Sequence, residues 1–175
     1  LSYSNNNIIE NNNISLNEYD GVTISGSKNN TISNNYISNN DRGIYIGSEN
    51  KNIIYHNNLI NNVVQAYDVT PNQWYNDYPI GGNYWSDYQG NDSNYDGIGD
   101  SPFTLPPIAS YFPIDELIID NYPFMQPNGW RDYVPPEEPV ASFNYLPNYG
   151  INRTTSIQFI STSTDSNGSI VEQQW

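Results

Sequence analysis

Ten residues near the middle of the chain, NDSNYDGIGD at positions 91–100, have the types and the spacing to hold a hard cation. Asp92, Asn94 and Asp96 alternate, Gly97 stands where such a loop turns sharply, the main-chain carbonyl of Ile98 follows, and Asp100 closes the series. Oxygens at alternate positions of a tight loop converge on one side, and Ca²⁺ takes about six to eight of them. Where a bidentate Glu would complete a helix–loop–helix calcium site the chain has Phe103, and no helical periodicity flanks the loop. The pattern therefore needs a carboxylate from elsewhere, with Asp87 and Asp120 the candidates; the rival reading is a hydrated acidic turn. Softer metals find little to bind, because the sequence holds no Cys, one His (His56) and one Met (Met125).

Just upstream, residues 72–90 read NQWYNDYPIGGNYWSDYQG. Trp74, Tyr75, Tyr84, Trp85 and Tyr88 are either an aromatic platform for sugar rings or an apolar plug for the end of a larger structure. Catalytic constellations are thin. A polysaccharide lyase needs a base beside a cation and a hydrolase needs paired carboxylates. Here Lys28, Arg42 and Lys51 fall on scattered positions, and Asp20 opposite Arg42 reads as an exposed ion pair. These residues predict no enzyme. With 19 acidic against 5 basic residues and a net charge of −14, the chain repels nucleic acid and anionic membranes.

The elements that position these groups begin with a repeat. Residues 8–14 (IIENNNI), 31–37 (TISNNYI) and 53–59 (IIYHNNL) are offset by 23 and 22, and DGVTI (20–24), RGIYI (42–46) and QAYDV (65–69) align between them. A period in the low twenties marks a solenoid. Within each unit apolar residues alternate: Ile9, Ile14, Val22, Ile24; then Ile32, Ile37, Ile44, Ile46; then Ile54, Leu59 or Ile60, and Ala66 or Val69. Such alternation predicts short strands with one buried face, stacked as about three coils of a right-handed parallel β-helix. Nineteen of the 30 Asn fall within the first 62 residues, so Asn belongs to the repeat. Asn11 and Asn34, and Asn12, Asn35 and Asn57, are expected to stack at the corners, and Gly21 and Gly43 to allow a tight bend.

The repeat N-x-I-x-x-N-x-I with G-I-Y-I resembles the parallel β-helix repeats of the NosD-like and carbohydrate-binding/sugar-hydrolase (CASH) families. GGNYWSDYQGNDSNYDGIGDSPF followed by DNYPFM at 120–125 looks like the C-terminal end of NosD-like β-helices in archaeal surface proteins. The resemblance covers about residues 1–127 and implies a secreted or surface-layer β-helix. The copper association of the NosD name is not carried over, given one His and one Met.

Residues 128–139 read as a Pro-rich linker, and 140–175 resemble the first half of a PKD-type, immunoglobulin-like β-sandwich. The expected organisation is thus an all-β chain: repeats over 1–70, an aromatic and acidic C-terminal cap with a calcium-type loop over 71–127, the linker, and a partial sandwich. Half a sandwich and an uncapped first coil suggest either a fragment or strand exchange between copies, which in a head-to-tail arrangement builds filaments. The chain opens at Leu1, which reads as processing or as a piece of a longer protein. Sequons begin at Asn13, Asn29, Asn91, Asn152 and Asn167, and no apolar run approaches the length of a membrane span. Together these features predict an extracellular structural or adhesive module that binds calcium and whose partners are other copies of itself or other surface proteins. A carbohydrate-binding module is the alternative, and a β-helix lyase or hydrolase a more distant one.

Overall fold

Where Ile or Val alternates with Ser, Thr and Asn, one face of an extended segment is apolar and must be covered. In the computed structural model, which describes residues 1–47, 50–70, 72–105, 118–132, 143–146 and 158–161, the cover is the chain's own next turn. Each coil has three strands: β1 (Ile8–Glu10), β2 (Asn13–Ser15) and β3 (Asp20–Ser25); β4 (Thr31–Ser33), β5 (Tyr36–Ser38) and β6 (Arg42–Gly47); β7 (Ile53–Tyr55), β8 (Asn58–Ile60) and β9 (Val64–Asp68). Equivalent strands pair in parallel as β1–β4–β7, β2–β5–β8 and β3–β6–β9. Residues 8–68 form a parallel β-solenoid of three turns.

Register stacks like on like. Ile9, Ile32 and Ile54 form one row, Ile14, Ile37 and Leu59 a second, and Val22, Ile44 and Ala66 a third. In the second and third coils these side chains are fully buried. Arg42 pairs with Val64 and Ile46 with Asp68, so QAYDV does not align residue for residue with RGIYI; it is displaced by one. The reason is Asp68, a buried carboxylate standing in an apolar row where Val69 had been a candidate.

The corners follow a two-residue rule. In the three coils a residue with left-handed φ precedes the stacked Asn: Asn6, Asn29 and Lys51 before Asn7, Asn30 and Asn52; Asn11, Asn34 and His56 before Asn12, Asn35 and Asn57; Leu16, Asn39 and Asn61 before Asn17, Asn40 and Asn62. Asn tolerates that region best, and its side chain bonds neighbouring backbone. Gly21 and Gly43 are not bends. They lie inside β3 and β6, and a Cβ on Gly43 would stand 2.4 Å from the Gln65 carbonyl oxygen, so their role is close approach of the next coil.

After β9, β10 (Tyr84–Trp85) joins β8 in parallel, and β11 (Phe103–Thr104) pairs antiparallel with β12 (Ile119–Asp120). Trp74, Trp85, Leu105 and Ile118 continue the solenoid core, with Phe103 stacked on Trp85 at 4.3 Å between centroids. A single helical turn, α1 (Gly129–Asp132), ends this unit, which spans Leu1–Tyr133. It takes in residues 128–132 of the expected linker. In the second unit, Val134–Trp175, β13 (Phe143–Leu146) pairs antiparallel with β14 (Gln158–Ser161); the rest of the expected sandwich lies outside the described residues.

Candidate functional site

The Asn corners form three hydrogen-bonded ladders with one polarity. In each, the main-chain N–H and the side-chain Nδ2 of one Asn donate to the Oδ1 of the equivalent Asn one coil on: Asn12 to Asn35, Asn35 to Asn57 and Asn57 to Asn83, all at 3.0–3.1 Å. Asn7, Asn30, Asn52 and Asn72 make the second row, and Asn17, Asn40 and Asn62 the third.

Each row ends on acceptors. Asn83 donates its main-chain N–H to Asp120 at 2.7 Å, and the Trp85 indole N–H donates to the same oxygen at 2.8 Å. Asn72 donates to Asp68, which also takes the Trp74 indole N–H at 2.9 Å. The third row passes from Asn62 Nδ2 to the side-chain Oε1 of Gln65, and Gln65 Nε2 donates to Ser86 and Asp87. Burial pushes the Asp120 carboxyl up to about 7 against the pull of its four donated hydrogen bonds, and pushes Asp68 up as well. These carboxylates are the site residues that sequence reasoning missed. Asp68 leaves no mark in a hydrophobicity pattern, and Asp120 was considered only as a loop ligand.

The acidic loop folds on its own backbone. Asp92 accepts the N–H groups of Asp96 (3.2 Å) and Gly97 (2.9 Å), Asp96 accepts Ile98 N–H (2.8 Å), and Asp100 accepts Ser93 N–H (2.8 Å). Gly97 has φ +83°, the left-handed turn expected at that position. An antiparallel bridge between Ile98 and Phe124 ties the loop to the solenoid end. Of the two outside carboxylates, Asp87 accepts from Gln65, and Asp120 is buried and accepts from Trp85. Among the described residues no three His, Cys, Asp or Glu side chains gather closely enough to hold a metal.

The aromatic residues proposed as a sugar platform are placed otherwise. Trp74 and Trp85 are 0% and 1% exposed, packed on each other at 5.7 Å, and offer no ring face to solvent. Tyr88 packs on Phe103 and donates its hydroxyl to the Ser101 carbonyl; Tyr75 packs edge-on against Tyr122, and Tyr84 is half-buried in β10. Trp74 and Trp85 close the solenoid core. Of the sequons, Asn13, Asn29 and Asn91 are exposed, and Asn152 and Asn167 lie outside the described residues.

A protein family described as periplasmic copper-binding protein (NosD) matches residues 1–90, half of the chain and all of the solenoid coils. The chain belongs to the NosD family. No curated protein and no solved structure matches it. No helix among the described residues is long and apolar enough to cross a membrane. The NosD description raises copper, and the residues present do not fit it. His56 Nε2 is 2.7 Å from the Ile80 carbonyl, to which it donates, and the ring lies flat on Trp130 with centroids 5.0 Å apart. Burial pushes the His56 pKa down, and the sequence supplies no second His and no Cys to join it. Copper prefers imidazole and sulfur ligands in sets, which this NosD chain lacks.

Proposed function

We propose that the chain is a non-catalytic structural module of an exported cell-surface protein, a stiff solenoid that spaces or carries other domains. The observation that carries this reading is the use of its polar side chains. Asn amides run from coil to coil and end on Asp120, on Asp68 and through Gln65 on Asp87, so groups suited to substrate chemistry are bound within the scaffold. The periplasmic description of the NosD family supports a place outside the cytoplasm, and the resemblance to archaeal surface proteins with a PKD-type appendage supports a modular surface protein. Incubation with acidic and neutral polysaccharides is expected to yield neither new reducing ends nor unsaturated products; turnover of any of them would overturn the reading. Impermeant amine reagents applied to intact source cells should label the exposed Lys28 and Lys51, and labelling only after lysis would refute the location.

Calcium at residues 91–100 belongs to the same proposal. The donors are all oxygen, which suits a hard ion, and the hydrogen bonds from Ser93 hold the Asp100 carboxyl below the usual range, keeping the loop charged. Calorimetric titration with calcium chloride should show one site and a raised melting temperature; no heat and no shift would remove calcium. Partner copies, where they associate, meet at the first coil, where β1 and β2 each pair on one side only, while the downstream ladder ends are closed by Asp68 and Asp120. Particle mass with calcium and with a chelator tests that association.

A further inference from the structure

A cleft of about 300 Å³ lies on the outer face of the β2–β5–β8 sheet. Its floor is a register-matched row, Asn13, Tyr36 and Asn58, whose chain neighbours Ile14, Ile37 and Leu59 point the other way into the core. Asn11 and Asn34, the left-handed corner residues of adjacent coils, line it as well. α1 is fastened beside it by a reciprocal pair: Asn128 N–H donates to Asn58 Oδ1 at 2.8 Å, and Asn58 Nδ2 donates to Asn128 Oδ1 at 3.0 Å. That pair brings Arg131 into the lining.

The cleft is chemically unlike the rest of the molecule. No lining residue is acidic, in a chain with 19 acids and a net charge of −14. Arg131 makes no ion pair among the described residues, whereas Arg42 is paired with Asp20. Tyr36 is 40% exposed and makes no ring contact among the described residues. The side chains of Asn11, Asn13 and Asn34 take no part in the ladders, which use the neighbouring Asn12 and Asn35.

We propose that this cleft binds an acidic saccharide unit, a sugar ring carrying a carboxylate. A primary amide donates and accepts at once, which matches vicinal hydroxyls. A guanidinium fork grips a carboxylate with two parallel hydrogen bonds. A half-exposed phenol ring covers the apolar face of a pyranose. The volume is at the small end of ligand sites, about 300–1,000 Å³, and suits one or two rings. In so acidic a molecule, a neutral wall with one cation is where an anionic sugar escapes repulsion.

Isothermal titration calorimetry on the full chain tests this, with digalacturonate, its uncharged methyl ester, and sulfate as an anion without a ring. The wild type should prefer digalacturonate over the ester by tenfold or more, and sulfate should not compete. Arg131→Gln should abolish that preference, Tyr36→Ala should weaken both sugars, and Arg42→Gln should change nothing. All three side chains are at least partly exposed, and circular dichroism confirms the fold of each variant. Absence of saccharide binding at millimolar concentration would overturn the proposal. So would a preference retained in Arg131→Gln, unchanged affinity in Tyr36→Ala, competition by sulfate, or an equal loss in Arg42→Gln. Observed turnover would sink the scaffold reading and leave the cleft assignment standing.

Discussion

Asp120 accepts four hydrogen bonds with no solvent in reach, two from Asn83 and one each from Trp85 and Tyr122. All four donors favour the charged form, yet burial dominates and places the carboxyl at about 7. The folded pKa therefore lies above the unfolded one. Asp120 contributes stability that is full below the ordinary carboxylate range and is lost as pH rises through about 7. Asp68, also pushed up by burial, acts with the same sign. His56, pushed down by burial, acts with the opposite sign, its contribution being lost as pH falls below the usual histidine range. Asp120→Asn keeps the shape but removes the titration. With its oxygen toward Asn83 and Trp85, its amide nitrogen faces the Tyr122 N–H donor, at a cost of about 1–3 kcal/mol. From about pH 5 to about pH 8 the melting temperature of the wild type should fall more steeply than that of Asp120→Asn. Equal slopes would show that this carboxyl is not the group being titrated.

Each corner sets two residues of one type side by side to do different work. Asn57 is buried and engages through both ends of its amide, accepting from Asn35 and donating to the Ile32 and Tyr55 carbonyls and to Asn83 Oδ1. Asn39 is exposed and supplies only a left-handed φ of 54°. Asn57→Ala strands several buried partners and should cost on the order of 3 kcal/mol in denaturant unfolding. Asn39→Ala should cost only about 1 kcal/mol, the penalty of the backbone region. Comparable losses would mean that the ladder adds nothing beyond turn formation. Gly43→Ala drives a methyl at the Gln65 carbonyl and should cost about 2–3 kcal/mol although its φ is ordinary. These elements also mark what was legible in the sequence. Period-2 alternation at a repeat of 22–23 residues exposes the Ile rows and the Asn corners, because both are written in residue type. Asp68 is not legible, since it owes its place to Trp74 and Asn72, which lie several residues on. Trp74 and Trp85 look the same in sequence whether they stack on sugars or close a core. Alternate acids such as Asp92 and Asp96 describe a turn and an ion site equally well in the sequence.

A solenoid has no contacts that skip a coil, so its stability is close to a sum of coils and the interfaces between them. The interfaces here are unequal. The third coil is covered by Trp74, Trp85 and β10, and its inner residues Ile54, Leu59 and Ala66 are fully buried. In the first coil β1 and β2 pair on one side only, and β3 meets only residues 1–3 on its other side; Ile9 and Ile14 are half-buried, and Tyr3, Ile8, Leu16 and Tyr19 stand out at 67–87% exposure. Ladder polarity adds to the contrast. Asn7, Asn12 and Asn17 donate onward to Asn30, Asn35 and Asn40, while their own Oδ1 atoms receive no donor among the described residues. Opening should therefore begin at the first coil and travel towards the capped end, with local opening free energies rising along the way. Hydrogen exchange followed by mass spectrometry on the whole chain reads this directly. Peptides from residues 8–25 should exchange first, those from 31–47 next, and those from 53–68 and 84–85 last. Uniform protection across the coils would mean that the solenoid opens as one cooperative body, with Asp120 and the Trp pair closing all three coils rather than the nearest. In that case Asp120→Asn would speed exchange in the first coil as much as in the third, whereas the graded picture confines its effect to the third coil and β10.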